Sequence, residues 1–166
     1  MRNTWSRLSC ALLCIMIILT CLEGFALADY SGKWGKLSWT LDSNGKLTIS
    51  GSGDMDDFHT PTLENLKYEA WLAYRGKIEE VVIQDGITSI GSKAFEFCNL
   101  KMVTIPDSVI SIGEEAFYYC HALSSITIPD SVTTIGSEAF CHCDALSSIT
   151  IPDSVTTIGF QAFGLC

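Results

Sequence analysis

Hydrophobic positions in the second half of the chain recur every 22 or 23 residues. The segment ALSSITIPDSVTTIG occurs twice without change, at Ala122–Gly136 and Ala145–Gly159. Looser copies occupy Leu100–Gly113 and Ile78–Gly91. A fixed period in this range is typical of a solenoid, in which each copy forms one structural unit that stacks on the next.

Within each copy, the pattern predicts a short strand, a turn and a second bend. In the third copy, Ile126-Thr127-Ile128 alternates between apolar and polar residues, as expected of a strand with one buried face. Pro129 ends the strand because it has no N–H group to donate, and Asp130-Ser131 is a turn signal. Ser137–Phe140 is predicted to form a short helical or 3₁₀ segment, with Glu138 near its electropositive start.

Stacking of the copies predicts a continuous apolar core. One copy cannot bury its apolar side alone, but neighbours about 4.8 Å apart place equivalent side chains against each other. Burial of one large aliphatic or aromatic side chain contributes about 1.5–3 kcal/mol. The predicted structural ladder has one phenylalanine and one cysteine per copy: Phe95, Phe117, Phe140, Phe163, Cys98, Cys120, Cys143 and Cys166.

The motif I-P-D-S-V-x-x-I-G-x-x-A-F resembles the repeats of BspA-type leucine-rich repeat proteins, which occur on the surfaces of many bacteria and some protozoan parasites. The resemblance covers about residues 78–166. It implies a curved right-handed solenoid, secretion or surface display, roles in adhesion or protein binding, and no conserved catalytic residue. The expected fold is a β-rich leucine-rich repeat solenoid of short parallel strands and short helical or 3₁₀ segments. Its four repeats are predicted at 78–99, 100–122, 123–145 and 146–166.

Residues 29–77 precede the repeats and are predicted to form an N-terminal cap. Alternating runs on either side of Asn44-Gly45 predict a β-hairpin over residues 36–50. Residues 62–75 have helical spacing of apolar side chains, with Thr62 as a possible N-cap. Family members open with a similar hairpin and a tryptophan-containing segment. The aromatic residues of this region are therefore expected to line the core of the cap rather than a sugar-binding platform: Trp39, Tyr68, Trp71 and Tyr74.

The first 28 residues are predicted to be a secretory signal peptide. Arg2 and Arg7 accompany the apolar run Leu8–Leu22, and Ala26-Leu27-Ala28 supplies the small residues needed for cleavage. The apolar run is short for a membrane span. The alternatives are a lipoprotein signal with acylated Cys21 and an uncleaved anchor. We therefore expect a secreted or cell-surface protein with no membrane span in the mature chain.

Composition restricts the class of partner. The 166 residues are 48% hydrophobic and 17% charged, which fits one folded domain rather than a disordered chain. The net charge of −9 argues against nucleic acid, whose binders need clustered lysine and arginine, and against adsorption to anionic membranes. The expected partner is an extracellular protein or glycan. The last repeat ends at Cys166 with its predicted edge open, so self-association through that edge is a second expectation.

The repeated cysteines allow three interpretations: disulfides between repeats, a metal ladder, or buried thiols that donate weakly to the loop backbone. We expect buried free thiols, because the equivalent side chains point inward in parallel. Cys141 breaks the pattern, and an exposed or intermolecularly paired Cys141 is one alternative. The triplet Cys141-His142-Cys143 is a poor metal site because adjacent residues cannot easily converge on one ion.

No motif in the repeats predicts catalysis, so we expect neither an enzyme nor a cofactor. A row of aspartates could hold Ca²⁺, but aspartate followed by serine or glycine after a strand is typical of a turn. These aspartates are Asp85, Asp107, Asp130 and Asp153. The histidines His59, His121 and His142 belong to no nucleophile or paired-histidine motif.

The surface that remains for binding is the outward side of the predicted strands. Extended solenoid faces commonly bind partners. We call the following candidate partner-binding residues the strand face: Glu80, Val82, Met102, Thr104, Ser125, Thr127, Ser148 and Thr150. The alternatives are that this face is merely solvated, and that the chain is a structural spacer or a fragment of a longer repeat array.

Overall fold

The computed structural model describes residues 28–59 and 70–166. Outside these described residues lie the predicted signal peptide up to residue 27 and residues 62–69 of the predicted helix, which include Tyr68. Within them, the elements follow in the order β1 (Ala28–Trp34), β2 (Leu37–Asp42), β3 (Lys46–Ser50), β4 (Gly53–Asp54), a 3₁₀ helix (Ala70–Lys77), β5 (Glu80–Ile83), β6 (Ile87–Ile90), β7 (Met102–Thr104), β8 (Ser111–Ile112), β9 (Thr134–Ile135) and β10 (Thr157–Ile158).

The first sheet has the strand order β1-β2-β3-β5-β7 and joins the N-terminal hairpins to the repeats. Strands β2 and β3 pair antiparallel across the Asn44-Gly45 turn, where the Asp42 carboxylate accepts hydrogen bonds from two backbone N–H groups. Strand β3 then pairs parallel with β5, and β5 with β7. Strand β1 was not predicted from the sequence. It pairs antiparallel with β2, and a tight turn at Gly35 connects the two strands. The hairpin thus supplies the first parallel neighbour that the repeats need.

The second sheet is parallel and has the order β10-β9-β8-β6-β4. Strands β6, β8, β9 and β10 each end directly before the glycine that recurs in every copy. Only a bend was predicted there from the sequence. Ile90, Ile112 and Ile135 are buried on its inner side, and their backbones pair from one repeat to the next. The serine of each I-P-D-S-V motif adds to this contact: the hydroxyl of Ser131 donates to the Val109 carbonyl at 2.7 Å.

The third side of each repeat is a row of turns, so the predicted helical or 3₁₀ segments are wrong for the repeats. The N–H groups of Glu115, Phe117 and Tyr119 donate to carbonyls of the following repeat, at 2.7–3.0 Å. Between them, the N–H group of Tyr118 donates to the Glu115 carbonyl at 3.0 Å and closes a turn within its own repeat. Because alternate donors point to the neighbouring repeat, a continuous helix cannot form here.

A phenylalanine stack runs through the core on this side. The ring centroids of Phe95 and Phe117 lie 5.2 Å apart, those of Phe117 and Phe140 5.1 Å apart, and those of Phe140 and Phe163 5.4 Å apart. Trp71 of the 3₁₀ helix stacks on the first ring at 6.0 Å and donates its indole N–H to the Ala94 carbonyl. Trp71 is fully buried, so it belongs to the core and does not form an open aromatic platform.

A glycine column sets the distance between repeats at the end of the second sheet. A Cβ atom added to Gly113 or Gly136 would lie 2.6 Å from the backbone nitrogen of Ser92 or Glu114, respectively. Such distances are closer than atoms can approach without displacing the neighbouring backbone. Glycine is therefore required here for close approach, at a backbone conformation that other residues can also adopt.

We expect Gly136→Ala to destabilise the protein by about 1–3 kcal/mol or more, because the methyl group would push two repeats apart. Gly76→Ala is the matched control, since a Cβ atom there meets nothing within 4 Å. Urea denaturation followed by circular dichroism measures both. Equal free energies of unfolding for the two variants would contradict the steric role of the column.

We expect Phe117→Ala to lower the free energy of unfolding by about 3–5 kcal/mol, because it leaves a cavity in the middle of the stack. Phe160→Ala is the control: Phe160 is 72% exposed and its loss should cost less than about 1 kcal/mol. The same urea titration distinguishes the two. A loss at Phe117 no greater than at Phe160 would show that the stack does not hold the repeats together.

Candidate interaction surface

The strand face begins on the first sheet, where the structure places its residues side by side. The ladder sets Glu80 opposite Met102, and Val82 opposite Thr104. Met102 is 58% exposed, which is unusual for a methionine, and Thr104 is also exposed. Glu80 and Val82 are only half-buried, and the Glu80 carboxylate lies 2.9 Å from the ammonium of Lys46.

The same outward row continues into the N-terminal hairpin, which the sequence analysis did not include. Strand pairing sets Thr40 opposite Thr48, and Thr48 opposite Val82. Thr104 continues this row in β7, and Thr127 and Thr150 occupy the equivalent positions of the next two repeats. The alternation of β2 and β3 could have revealed this extension, because outward positions of paired strands lie on one surface.

The hydrogen-bonding ladder of the first sheet ends at β7, although the later copies keep the same strand motif. Among the described residues, no backbone hydrogen bond joins Ser125–Ile128 to β7 or to Ser148–Thr150. An open cleft of about 390 Å³ lies between these last two segments, and Asp130 and Pro152 also line it. We call this space the inter-repeat cleft. The strand face is thus continuous in the first two repeats and divided in the last two.

Exposed carboxylates follow the strand face along one edge; we call Asp85, Asp107, Asp130 and Asp153 the aspartate column. Asp85 and Asp107 line a second cleft, of about 660 Å³, between the first two repeats. Within the described residues, none of the four carboxylates takes part in a hydrogen bond or ion pair. The turn is closed instead by backbone bonds such as Val132 N–H to the Pro129 carbonyl.

The residues that the structure describes include no group of three or more histidine, cysteine or acidic side chains able to hold a metal ion. The aspartate column therefore does not converge on a calcium site, and Cys141-His142-Cys143 forms no metal triplet. His121 instead contacts Asp144 of the following repeat, with 2.7 Å between Nδ1 and the carboxylate oxygen.

The repeat geometry agrees with a comparison of sequence families. The family model described as "BspA type Leucine rich repeat region (6 copies)" matches residues 65–166, which is more than half of the chain. The chain belongs to the BspA-type leucine-rich repeat family. Proteins with leucine-rich repeats generally mediate protein interactions and are typically not enzymes. None of the curated proteins matches the chain.

Solved structures of other bacterial leucine-rich repeat proteins are similar to this BspA-type chain. A leucine-rich repeat protein from Eubacterium ventriosum ATCC 27560 is 31% identical with a TM-score of 0.62, over 78% of this chain and 39% of that one. A leucine rich cell surface protein from Faecalibacterium prausnitzii A2-165 is 26% identical with a TM-score of 0.51, over 82% and 46%. A leucine rich repeat protein from T. pallidum is 26% identical with a TM-score of 0.55, over 81% and 67%. The chain spans less than half of the length of the first two relatives.

A second exposed feature of the BspA-type repeats lies on the row of turns. The rings of Phe97 and Tyr119 lie 5.1 Å apart, and those of Tyr119 and His142 4.1 Å apart. The guanidinium carbon of Arg75 lies 5.5 Å from the centroid of the Phe97 ring. We call these three rings the outer aromatic stack. Tyr119 therefore has ring contacts to the preceding and to the following repeat, so the stack joins three repeats.

The repeated cysteines of the BspA-type core are free thiols. The thiol of Cys120 donates to the Phe95 carbonyl at 3.2 Å, and that of Cys143 to the Phe117 carbonyl at 3.3 Å. Each thiol therefore links its own repeat to the carbonyl of the preceding one. Burial raises the pKa of Cys143 to about 12, and it also raises the pKa values of Cys98 and Cys120. Cys141 is 3% exposed, so the alternative of an exposed Cys141 is wrong.

We expect Cys98, Cys120 and Cys143 to resist alkylation at pH 8, because only the thiolate reacts and burial disfavours it. Cys166 is exposed and should be alkylated first. Iodoacetamide labelling followed by peptide mass spectrometry measures each site separately. A sample unfolded in concentrated urea is the fully reactive control. Rapid labelling of Cys120 in the native protein would contradict the buried thiol contacts.

No helix within the described residues combines the length and the apolar character that crossing a membrane requires.

Proposed function

We propose that this protein is a secreted or cell-surface leucine-rich repeat module that mediates adhesion or another protein interaction through its strand face. The single observation that carries the proposal is the exposed row of short polar side chains from Thr104 to Thr150 beside the inter-repeat cleft. A flat row of short side chains allows a partner to approach the sheet closely. The inter-repeat cleft beside this row is lined by backbone segments without a strand partner among the described residues, and a partner protein can bind there.

Three further observations support the proposal. The family generally mediates protein interactions. One similar structure is described as a leucine rich cell surface protein. The first 28 residues of the chain have the pattern of a secretory signal peptide, and an exported chain meets extracellular proteins and glycans.

A second candidate function is that of a structural spacer within a longer repeat array. Two observations favour it: the 15-residue segments at 122–136 and 145–159 are identical, and the chain spans less than half of the first two relatives. Identical copies maintain spacing without presenting a distinct site at each repeat. In this case residues 29–77 serve only as the cap, and contacts through the last repeat extend the array.

Binding of the immobilised protein to extracellular matrix proteins and to cell-surface extracts tests the proposal. We expect the double variant Thr127→Arg/Thr150→Arg to reduce binding at least tenfold (about 1.4 kcal/mol), because two bulky cations would block the face. The matched control is Thr156→Arg/Thr157→Arg, which places the same charges on exposed residues near β10.

Equal loss of binding in the two double variants would contradict a site on the strand face, since the control lies on the other sheet. Failure of the unmodified protein to bind any of the surfaces would favour the spacer.

A further inference from the structure

The third and fourth repeats contain extended segments that pair with no strand in the described part of the chain. Ser125–Ile128 keeps the alternation of a half-buried strand: Ile126 and Ile128 are buried, and Ser125 and Thr127 are exposed. Elsewhere these repeats are joined by the β9–β10 pair and by the row of turns. Among the described residues, the backbone N–H and C=O groups of Ser125–Ile128 and Ser148–Thr150 bond to no neighbouring strand. Such groups are strong donors and acceptors that favour pairing with another chain.

The inter-repeat cleft gives an incoming chain room beside these groups. The cleft has a volume of about 390 Å³. Ser125, Thr127 and Thr150 line the cleft together with Ile126 and Ile149. This mixture suits an extended peptide, whose side chains alternate between an apolar and a polar surface.

The charge of the cleft indicates which peptide fits. Asp130 lines the cleft, and the neighbouring members of the aspartate column, Asp107 and Asp153, are exposed. The lysines nearest to the strand face are already paired, Lys46 with Glu80 and Lys101 with Glu79. The carboxylates beside the cleft thus have no cationic partner within the described chain, and the net charge of the protein is −9. Lysine or arginine side chains complement this edge.

We propose that the inter-repeat cleft binds an extended, basic peptide segment of a partner protein. The peptide pairs its main chain with Ser125–Ile128 or Ser148–Thr150 and directs lysine or arginine side chains to Asp130 and Asp153. Main-chain hydrogen bonds supply affinity, and the carboxylates supply selectivity for charge. This inference rests on the proposed function and specifies the partner class of the strand face.

Three fluorescein-labelled hexapeptides test the inference by fluorescence anisotropy against the full chain. The first alternates lysine and valine, the second is the same peptide with every main-chain amide nitrogen methylated, and the third alternates glutamate and valine. We expect the lysine peptide to bind, and its affinity to fall as salt is raised. N-methylation should weaken binding at least tenfold because it removes main-chain donors without changing charge. The glutamate peptide should not bind.

Variants and hydrogen exchange locate the site. Asp130→Asn/Asp153→Asn should weaken binding of the lysine peptide severalfold. Asp85→Asn, in the same column but lining the other cleft, should not change it. Addition of the lysine peptide should slow amide exchange in Ser125–Ile128 and Ser148–Thr150, where the amides are unpaired in the free protein.

Equal affinities for the lysine peptide and its N-methylated form would overturn main-chain pairing and leave only charge attraction. Slowed exchange confined to other segments would overturn the location. These results are separate from the test of the proposed function. If Thr127→Arg/Thr150→Arg abolishes binding to surface extracts but no basic peptide binds, only the present inference is wrong. If the peptides bind as expected and no extracellular surface does, the proposed function is wrong.

Discussion

The close approach of successive backbones at the glycine column is the constraint on which this structure depends. Gly113, Gly136 and Gly159 each leave no room for a side chain against the preceding repeat. That contact brings the second sheet into hydrogen-bonding register and sets the phenylalanine rings 5.1–5.4 Å apart. Thiol-to-carbonyl and serine-to-carbonyl bonds then form at the same interfaces. Each of these contacts is weak alone, and their repetition along one axis makes the array stable.

Successive repeats stack closely along the second sheet and the row of turns, so the repeats differ mainly on the side of the first sheet. The row of turns and the second sheet continue through the four repeats, whereas the ladder of the first sheet ends at β7. Backbone hydrogen bonds thus join successive repeats along these two sides, and among the described residues they do not join the last repeats beside the strand face. Surfaces with unsatisfied backbone groups are suited to recognition, because a partner can supply the missing donors and acceptors.

The period of the sequence was sufficient to predict the solenoid, because a fixed spacing of apolar residues fixes which side chains meet. The hairpin of β2 and β3 was predicted from alternation around Asn44-Gly45. The helical segments were wrong because local spacing of Ala139 and Phe140 cannot show that alternate N–H groups bond to the next repeat. The inter-repeat cleft could not be predicted at all. Repeats three and four keep the apolar alternation of repeat two, although two residues rather than one separate the preceding cysteine from their first leucine, and the strand motif alone does not show that the ladder is absent.

The glycine column also has a consequence for the length of the array. Because Gly113, Gly136 and Gly159 each approach the preceding repeat in the same way, insertion or deletion of one 23-residue unit preserves the glycine contact at every remaining step. The length of the solenoid can therefore change by whole repeats while the glycine contact between neighbouring repeats stays the same.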